Sequence, residues 1–199
     1  MSIANYTDLK GAVSRWLHRA DLVAVTPDLI TLAETRFNRN LRVRQMQTAY
    51  SAETAIPIVA LPADWLELVG APVLGDKPLD YVTRDEYRTY TNADRNGNYY
   101  YNIGSELALR AALTEPATLA FDYYAKIPAL SDAAPTNWLL TDAPDVYLYG
   151  TLLEAEPYMK NDTRIETWRG LLQVALTDLQ ASSDRAKHSG ATLVMGGPR

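Results

Sequence analysis

Residues 26–50, TPDLITLAETRFNRNLRVRQMQTAY, decide the fold class, because the spacing of the side chains changes within them. Leu29, Ala33 and Phe37 recur at intervals of four residues, which is typical of one face of a helix. From Val43 onwards, two sets of side chains alternate from one residue to the next, which indicates a strand. A helical segment therefore ends, and a β segment begins, near residue 42.

The same helical spacing predicts a first helix before residue 26, capped by Thr7 or Asp8. Thr26 is followed by Pro27, a pair that predicts an N-cap and a proline in the first turn of a second helix. The apolar stripe of the first helix consists of Leu9, Val13, Trp16, Leu17 and Ala20.

Short β-prone segments follow the two helices. Residues 53–62 contain Pro57, which has no N–H to donate and therefore predicts an edge strand. A short strand is predicted within residues 77–82, and a longer one at Ala117–Ala125. The middle of the chain is thus predicted to be an antiparallel β region.

Turns and helical pieces interrupt this β region. Gly104-Ser105 separates residues 99–103 from residues 106–111, which is the spacing of a two-residue hairpin. Residues 63–69 are predicted to form one or two helical turns.

A capping box at Thr83 and Glu86 predicts a helix that runs to about residue 92. Residues 128–144 are predicted to be a loop that Trp138-Leu139-Leu140 anchors. Helical spacing returns in residues 145–159 and 162–187.

The predicted fold class is therefore α+β. Residues 1–42 and 126–187 are expected to form a helical bundle domain, and residues 43–125 a β-rich insertion. Residues 188–199 are expected to be an extended C-terminal tail.

Composition excludes several kinds of chemistry. The 199 residues include no cysteine and two distant histidines, His18 and His188, which leaves no thiol chemistry and little for a histidine metal site or a catalytic triad. The net charge is −5, and 13 Tyr and 4 Trp stand against 2 Phe. Tyr and Trp are enriched at protein interfaces, although Tyr also simply suits strands.

Motifs for catalysis or membrane insertion are missing from the sequence. It has no nucleophile elbow, P-loop or dinucleotide fingerprint, so we expect no catalytic, cofactor or metal site and no enzyme. The N-terminus does not resemble a signal peptide, and no stretch is long enough to span a membrane.

A run of arginines reverses the local charge of this acidic chain: Arg36, Arg39, Arg42 and Arg44. Three interpretations are open. The run could contact nucleic-acid phosphates, or form intersubunit or partner salt bridges, or be a solvated helix end that pairs with carboxylates of the same chain.

The C-terminal tail holds a short apolar segment between glycines, with Leu193, Val194 and Met195, and ends at Arg199. Disordered tails are usually more polar. We therefore expect this segment to bind a partner, as an added strand or in a groove.

Two stretches resemble the phage head–tail adaptor family, also called connector proteins, which are similar to the tail tubular protein A of short-tailed phages. The first is PDLITLAETRFNRNLR at residues 27–42. The second comprises WLL at 138–140, PDVYLYG at 144–150, LLEA at 152–155, Pro157-Tyr158 and residues 164–168. With the β region between them, the resemblance spans nearly the whole chain.

The resemblance implies a structural virion protein that forms a dodecameric ring between portal and tail and extends the DNA channel. It implies contacts with the portal, the tail or nozzle protein and other copies, while genomic DNA passes without sequence-specific binding. It also implies synthesis in the host cytoplasm and no membrane association. The candidate portal-binding residues are Leu193, Val194, Met195 and Arg199, and the candidate intersubunit or partner contacts are Arg36, Arg39, Arg42 and Arg44.

Two alternatives remain open at the level of sequence. One is a hydrolase that uses carboxylates of the β region, such as Asp64 and Asp85. The other is an accessory nucleic-acid-binding protein that uses the arginine run, which the acidic balance of the chain disfavours.

Overall fold

The computed structural model describes residues 3–89, 98–110, 115–159 and 163–188, and the fold is mixed α+β, as predicted. The chain divides into two compact units, a helical unit (Met1–Gln45 with Ile127–Arg199) and a β unit (Met46–Lys126). The described helices are α1 Tyr6–Leu17, α2 Thr26–Asn40, α3 Arg84–Thr89, α4 Trp138–Asp142, α5 Pro144–Glu154 and α6 Arg164–His188. The described strands are β1 Gln47–Thr54, β2 Ile58–Ala60, β3 Trp65–Leu68, β4 Val73–Leu74, β5 Lys77–Pro78, β6 Asp80–Tyr81, β7 Tyr99–Ile103, β8 Glu106–Arg110 and β9 Ala117–Ala125.

Helix α5 lies at the centre of the helical unit and packs against α1, α2, α4 and α6. It is apolar on nearly every side, as a helix enclosed by others must be. Its buried residues are Val146, Tyr147, Leu148, Gly150, Thr151, Leu152 and Leu153. Within the described residues, no helix is long and apolar enough to cross a membrane.

Helix starts differ in detail from the predictions. Asn5, in an extended conformation, caps α1 through its Oδ1, which accepts the N–H of Asp8 at 2.9 Å. Thr26 lies inside the first turn of α2, and its hydroxyl donates to the carbonyl of Leu22 instead of capping the helix. Trp16 was predicted in the buried stripe of α1 but is 41% exposed.

The β unit contains two sheets. In one, strand order is β1-β9-β4-β5, with β3 also paired to β9; in the other it is β2-β8-β7-β6. Among the described strands all pairs are antiparallel except β6 with β7, so the predicted antiparallel region includes one parallel pair. Parallel neighbours need a crossover between them, and α3 lies in the chain between β6 and β7.

The core of the β unit follows from the alternation along β9. Leu119, Phe121 and Tyr123 are buried, whereas Thr118 and Asp122, at alternate positions, are exposed. Because successive side chains of a strand point to opposite faces, one face of β9 lies on the core and the other faces solvent. The Tyr50 ring stacks on Phe121 with centroids 4.6 Å apart.

Several local predictions are confirmed. Gly104 adopts φ +59° in the β7–β8 hairpin, a conformation that favours glycine. Thr83 and Glu86 form the reciprocal bonds of a capping box at the start of α3, whose predicted end near residue 92 lies outside the described residues. Strand β2, which follows Pro57, is an edge strand.

Three local predictions are wrong, and strand pairing between distant residues explains the first of them. Residues 65–68 form strand β3, which pairs with β9, instead of helical turns. Residues 44–46 form a 3-10 turn before β1. The predicted loop at 128–144 contains helix α4, which Asn137 caps by accepting the N–H of Leu140.

Candidate interaction surfaces

Two of the four arginines of the run make contacts within the helical unit. Arg36 on α2 lies 2.7 Å from the carboxylate of Glu154 at the end of α5, a charge contact without an aligned hydrogen bond. Arg42 donates to the carbonyls of Asn38 and Leu41 and so satisfies the C-terminal end of α2. These contacts fit the interpretation of a helix end that pairs within its own chain.

The other two arginines of the run present their side chains at the surface. Arg39 and Arg44 are exposed, and neither forms an ion pair within the part of the chain that the structure describes. The backbone N–H of Arg44 donates to the hydroxyl of Ser183 on α6, which holds this segment in place. The run therefore leaves two cations available to a partner.

The candidate portal-binding residues lie outside the described residues: Leu193, Val194, Met195 and Arg199. Helix α6 ends at His188, one residue beyond its predicted end. The tail remains a prediction from the sequence.

A close contact between α2 and α5 brings together the two stretches that carried the resemblance. A Cβ at Gly150 would overlap Cζ of Phe37. Phe37 is buried and packs edge-on against the ring of Tyr147, with centroids 5.5 Å apart. The absence of a side chain at Gly150 is thus what lets the Phe37 ring sit against the backbone of α5.

A buried polar network continues from this contact. Glu34 on α2 is only 5% exposed, and its Oε1 accepts the N–H of Leu130 at 2.8 Å and the hydroxyl of Tyr147 at 3.0 Å. Asn137 donates to that hydroxyl and to the carbonyl of Pro128, both at 2.6 Å. The network ties the connection before α4 to α2 and α5.

One turn further along α2, Asn38 accepts the N–H of Ile127 at 2.8 Å. Glu34 and Asn38 are four residues apart and so lie on one face of α2. Sequence reasoning missed this role. A glutamate inside the otherwise apolar stripe of α2 was the available signal, since a buried carboxylate requires hydrogen-bond donors.

The carboxylates named for a hydrolase have ordinary surroundings. Asp64 is exposed and accepts the hydroxyl of Tyr123 at 3.1 Å, and Asp85 lies exposed in the first turn of α3. Among the described residues, no group of three His, Asp or Glu side chains could hold a metal ion. Among the described residues, neither carboxylate therefore belongs to a group of side chains that could hold a metal ion for hydrolysis.

Charge is divided unequally between the two units. In the sequence of the helical unit, 13 basic residues balance 13 acidic ones, whereas the β unit has 11 acidic and 6 basic residues. The whole net charge of −5 thus belongs to the β unit.

Comparison with protein-family models identifies the family of this chain. The model of the SU10 adaptor protein family matches residues 4–195, nearly the full chain. The chain belongs to the SU10 adaptor protein family. This confirms the predicted family, and the protein is a structural adaptor of a phage virion. A comparison with curated protein sequences finds no match.

In this member of the family, burial raises the pKa of the Glu34 carboxyl above its ordinary value, while the donors Leu130 and Tyr147 act to lower it. Burial, with the nearby Glu34 charge, also raises the pKa of the Tyr147 hydroxyl. The folded state therefore favours a protonated Glu34 more than the unfolded chain does.

The raised pKa of Glu34 predicts a pH dependence of stability. Its contribution is fully present below the unfolded pKa of about 4.3 and is lost as pH rises through the folded pKa. Glu34→Gln keeps an acceptor oxygen but cannot ionise, so we expect the stability of this variant relative to wild type to increase from about pH 4 to pH 7. Urea unfolding at several pH values measures this difference, and a difference that stays constant or falls contradicts the assignment.

Proposed function

We propose that this adaptor is a structural, non-enzymatic virion protein that forms a ring between the portal and the tail and extends the DNA channel. The observation that carries the proposal is the family match over residues 4–195. The ring is proposed to be a dodecamer that is incorporated at the head–tail interface after synthesis in the host cytoplasm.

The exposed arginines support a role in assembly. Arg39 and Arg44 lie next to the structural pair Arg36–Glu154 and the helix end capped by Arg42, so the backbone beneath them is held in place. Arginine is enriched at protein interfaces because its guanidinium binds carboxylates through two parallel bonds. We propose that these two residues contact a neighbouring copy or the portal.

The charge distribution supports passage of DNA without tight binding. The acidic excess of the β unit repels phosphates, and so a channel near it would hold no duplex in place. We propose that genomic DNA passes without sequence-specific contacts and that the β unit contributes contacts to the tail or nozzle protein.

The C-terminal tail supplies the proposed portal contact. Residues 189–199 follow α6 directly and include the apolar Leu193, Val194 and Met195. An extended segment of this kind binds by adding to a sheet edge or by placing alternate side chains in pockets. Arg199 adds a positive charge at its end.

Truncation tests the proposal. The full-length chain is mixed with the portal protein of the same phage, and complexes are examined by mass photometry and negative-stain electron microscopy. We expect full-length protein to form a ring on the portal. We expect a variant ending at His188 to fold but to lose portal binding by at least about a hundredfold, since it lacks the apolar segment proposed to bind the portal.

Circular dichroism of the truncated variant provides the control for folding, and Arg88→Ala on α3 provides a surface variant expected to bind normally. If full-length protein forms no complex with the portal, the adaptor function between portal and tail is wrong. If the truncated variant binds as well as full-length protein, the tail is not the portal-binding segment.

A further inference from the structure

A groove on the helical unit combines cationic and aromatic side chains. It has a volume of about 490 Å³ and is lined by Arg15, Trp16, His18, Arg164 and Trp168. We call it the Arg–Trp groove. Within the described part of the chain no carboxylate lines the groove, and Trp and Arg are among the residue types that most often dominate binding energy at protein interfaces.

Three of the side chains that line the Arg–Trp groove, those of Trp16, Arg164 and Trp168, are held by contacts within the helical unit. Arg164 donates to the carbonyl of Trp16 at 3.0 Å, and its guanidinium lies over the ring of Trp168, 5.1 Å from the centroid. The ring of Trp16 packs edge-on against Tyr149, with centroids 5.9 Å apart. Binding to such a surface costs little side-chain entropy.

Arg15 supplies the available positive charge of the groove. It is exposed and forms no ion pair within the described residues, whereas Lys10, Arg19 and Arg36 of the same unit each lie beside a carboxylate. An exposed cation next to exposed indole surface favours a ligand that combines a carboxylate with non-polar neighbours.

The β unit carries a surface of the opposite kind. Directly paired residues of β1 and β9 share a face of the sheet, and on the outward face these pairs include Ala49 with Asp122 and Glu53 with Thr118. All four are exposed, and none of the paired β1 and β9 residues on this face is basic. We call this the acidic sheet face.

We propose that the Arg–Trp groove of one copy binds the acidic sheet face of a second copy. Charge complementarity carries the inference, because Arg15 is an exposed cation in the groove, while Glu53 and Asp122 are exposed on the acidic sheet face. Two different surfaces meet in this contact, and a heterologous contact of this kind closes into a ring when its rotation permits. The inference deepens the proposed function and rests on it.

Charge reversal tests the contact with the full chain. Arg15→Glu and Glu53→Arg are made singly, and self-association is measured by sedimentation velocity alone and by electron microscopy of rings formed on the portal. We expect each variant to weaken self-association at least about tenfold, since like charges then face each other. Arg88→Glu makes the same change in net charge as Arg15→Glu, at an exposed site on α3, and is expected to associate as wild type does.

Mixing the two single variants identifies the contact as one between different copies. The groove of the Glu53→Arg protein is intact, as is the acidic sheet face of the Arg15→Glu protein, so we expect the mixture to recover association that neither protein shows alone. Raising the salt concentration from about 50 to 500 mM should weaken wild-type association, because the charges are screened.

The outcomes separate this inference from the proposed function. Rings that form normally with both Arg15→Glu and Glu53→Arg overturn the inference and leave the adaptor function standing. If wild type forms no oligomer alone or on the portal, both fail. A loss of binding to a labelled 20-base-pair duplex in Arg15→Glu, without a change in self-association, would assign the groove to nucleic acid and overturn the inference.

Discussion

Gly150→Ala is expected to destabilise the helical unit by about 2 kcal/mol. The added Cβ would overlap Cζ of Phe37, and the buried ring has Tyr147 against it, so the ring or the backbone of α5 must move. Overpacking of this kind costs about 1–3 kcal/mol or more, and the better helix propensity of alanine returns only about 1 kcal/mol. The measurement is the urea midpoint of tryptophan fluorescence, to which Trp16, Trp138 and Trp168 of this unit contribute.

Gly170→Ala is the matched control. Gly170 also lies within a helix, but a Cβ there would meet no atom within 4 Å. We expect this variant to gain about 0.5–1 kcal/mol from helix propensity alone. Phe37→Leu combined with Gly150→Ala should recover part of the loss, because a smaller side chain leaves room for the new methyl group. Equal midpoints for Gly150→Ala and Gly170→Ala would show that the close approach of α2 and α5 is not what requires glycine.

Asn137→Ala is expected to cost about 3 kcal/mol, the larger of the two losses. The variant loses the cap of α4 and two donated bonds of 2.6 Å, to Pro128 and Tyr147. Each lost bond costs about 1 kcal/mol, and buried groups left without partners add to this. The free energy of urea unfolding measures the effect.

Two further variants determine where that cost arises. Asn5→Ala removes a single helix cap at a half-buried site and is expected to cost about 1 kcal/mol. Tyr147→Phe removes the hydroxyl that Glu34 and Asn137 share and should cost an intermediate amount, since Asn137 retains its cap and Pro128. An Asn137→Ala variant no less stable than Asn5→Ala would mean that the network contributes little beyond capping.

Local patterns predicted those elements whose stabilising interactions lie close together in the chain. The hairpin at Gly104 and the capping box of α3 depend on neighbouring residues, and both were predicted. Strand β3 was missed because its conformation depends on pairing with β9, more than 50 residues away in the chain. Helix α4 was missed because its cap, Asn137, is held by contacts with α5.

The candidate surfaces, too, could be predicted from the sequence only in part. The arginine run was visible in the sequence, but only the packing of α2 against α5 assigned Arg36 to Glu154 and left Arg39 exposed. The Arg–Trp groove could not be predicted, because its lining comes from α1 and α6, far apart in the chain. Helical spacing had assigned Trp16 to the core, since spacing does not tell which neighbouring helix covers a given face.

By itself, the sequence determined the α+β class, the position of a β region between helical segments, the family and the absence of cysteine chemistry. These depend on composition, periodicity and local hydrogen bonds, all of which involve residues close together in the chain. Tertiary structure alone decided why Gly150 must be glycine, how Glu34 is satisfied in the core and which charges remain at the surface. Those properties arise from contacts between residues distant in the chain, where close packing and burial set the free energy of each side chain.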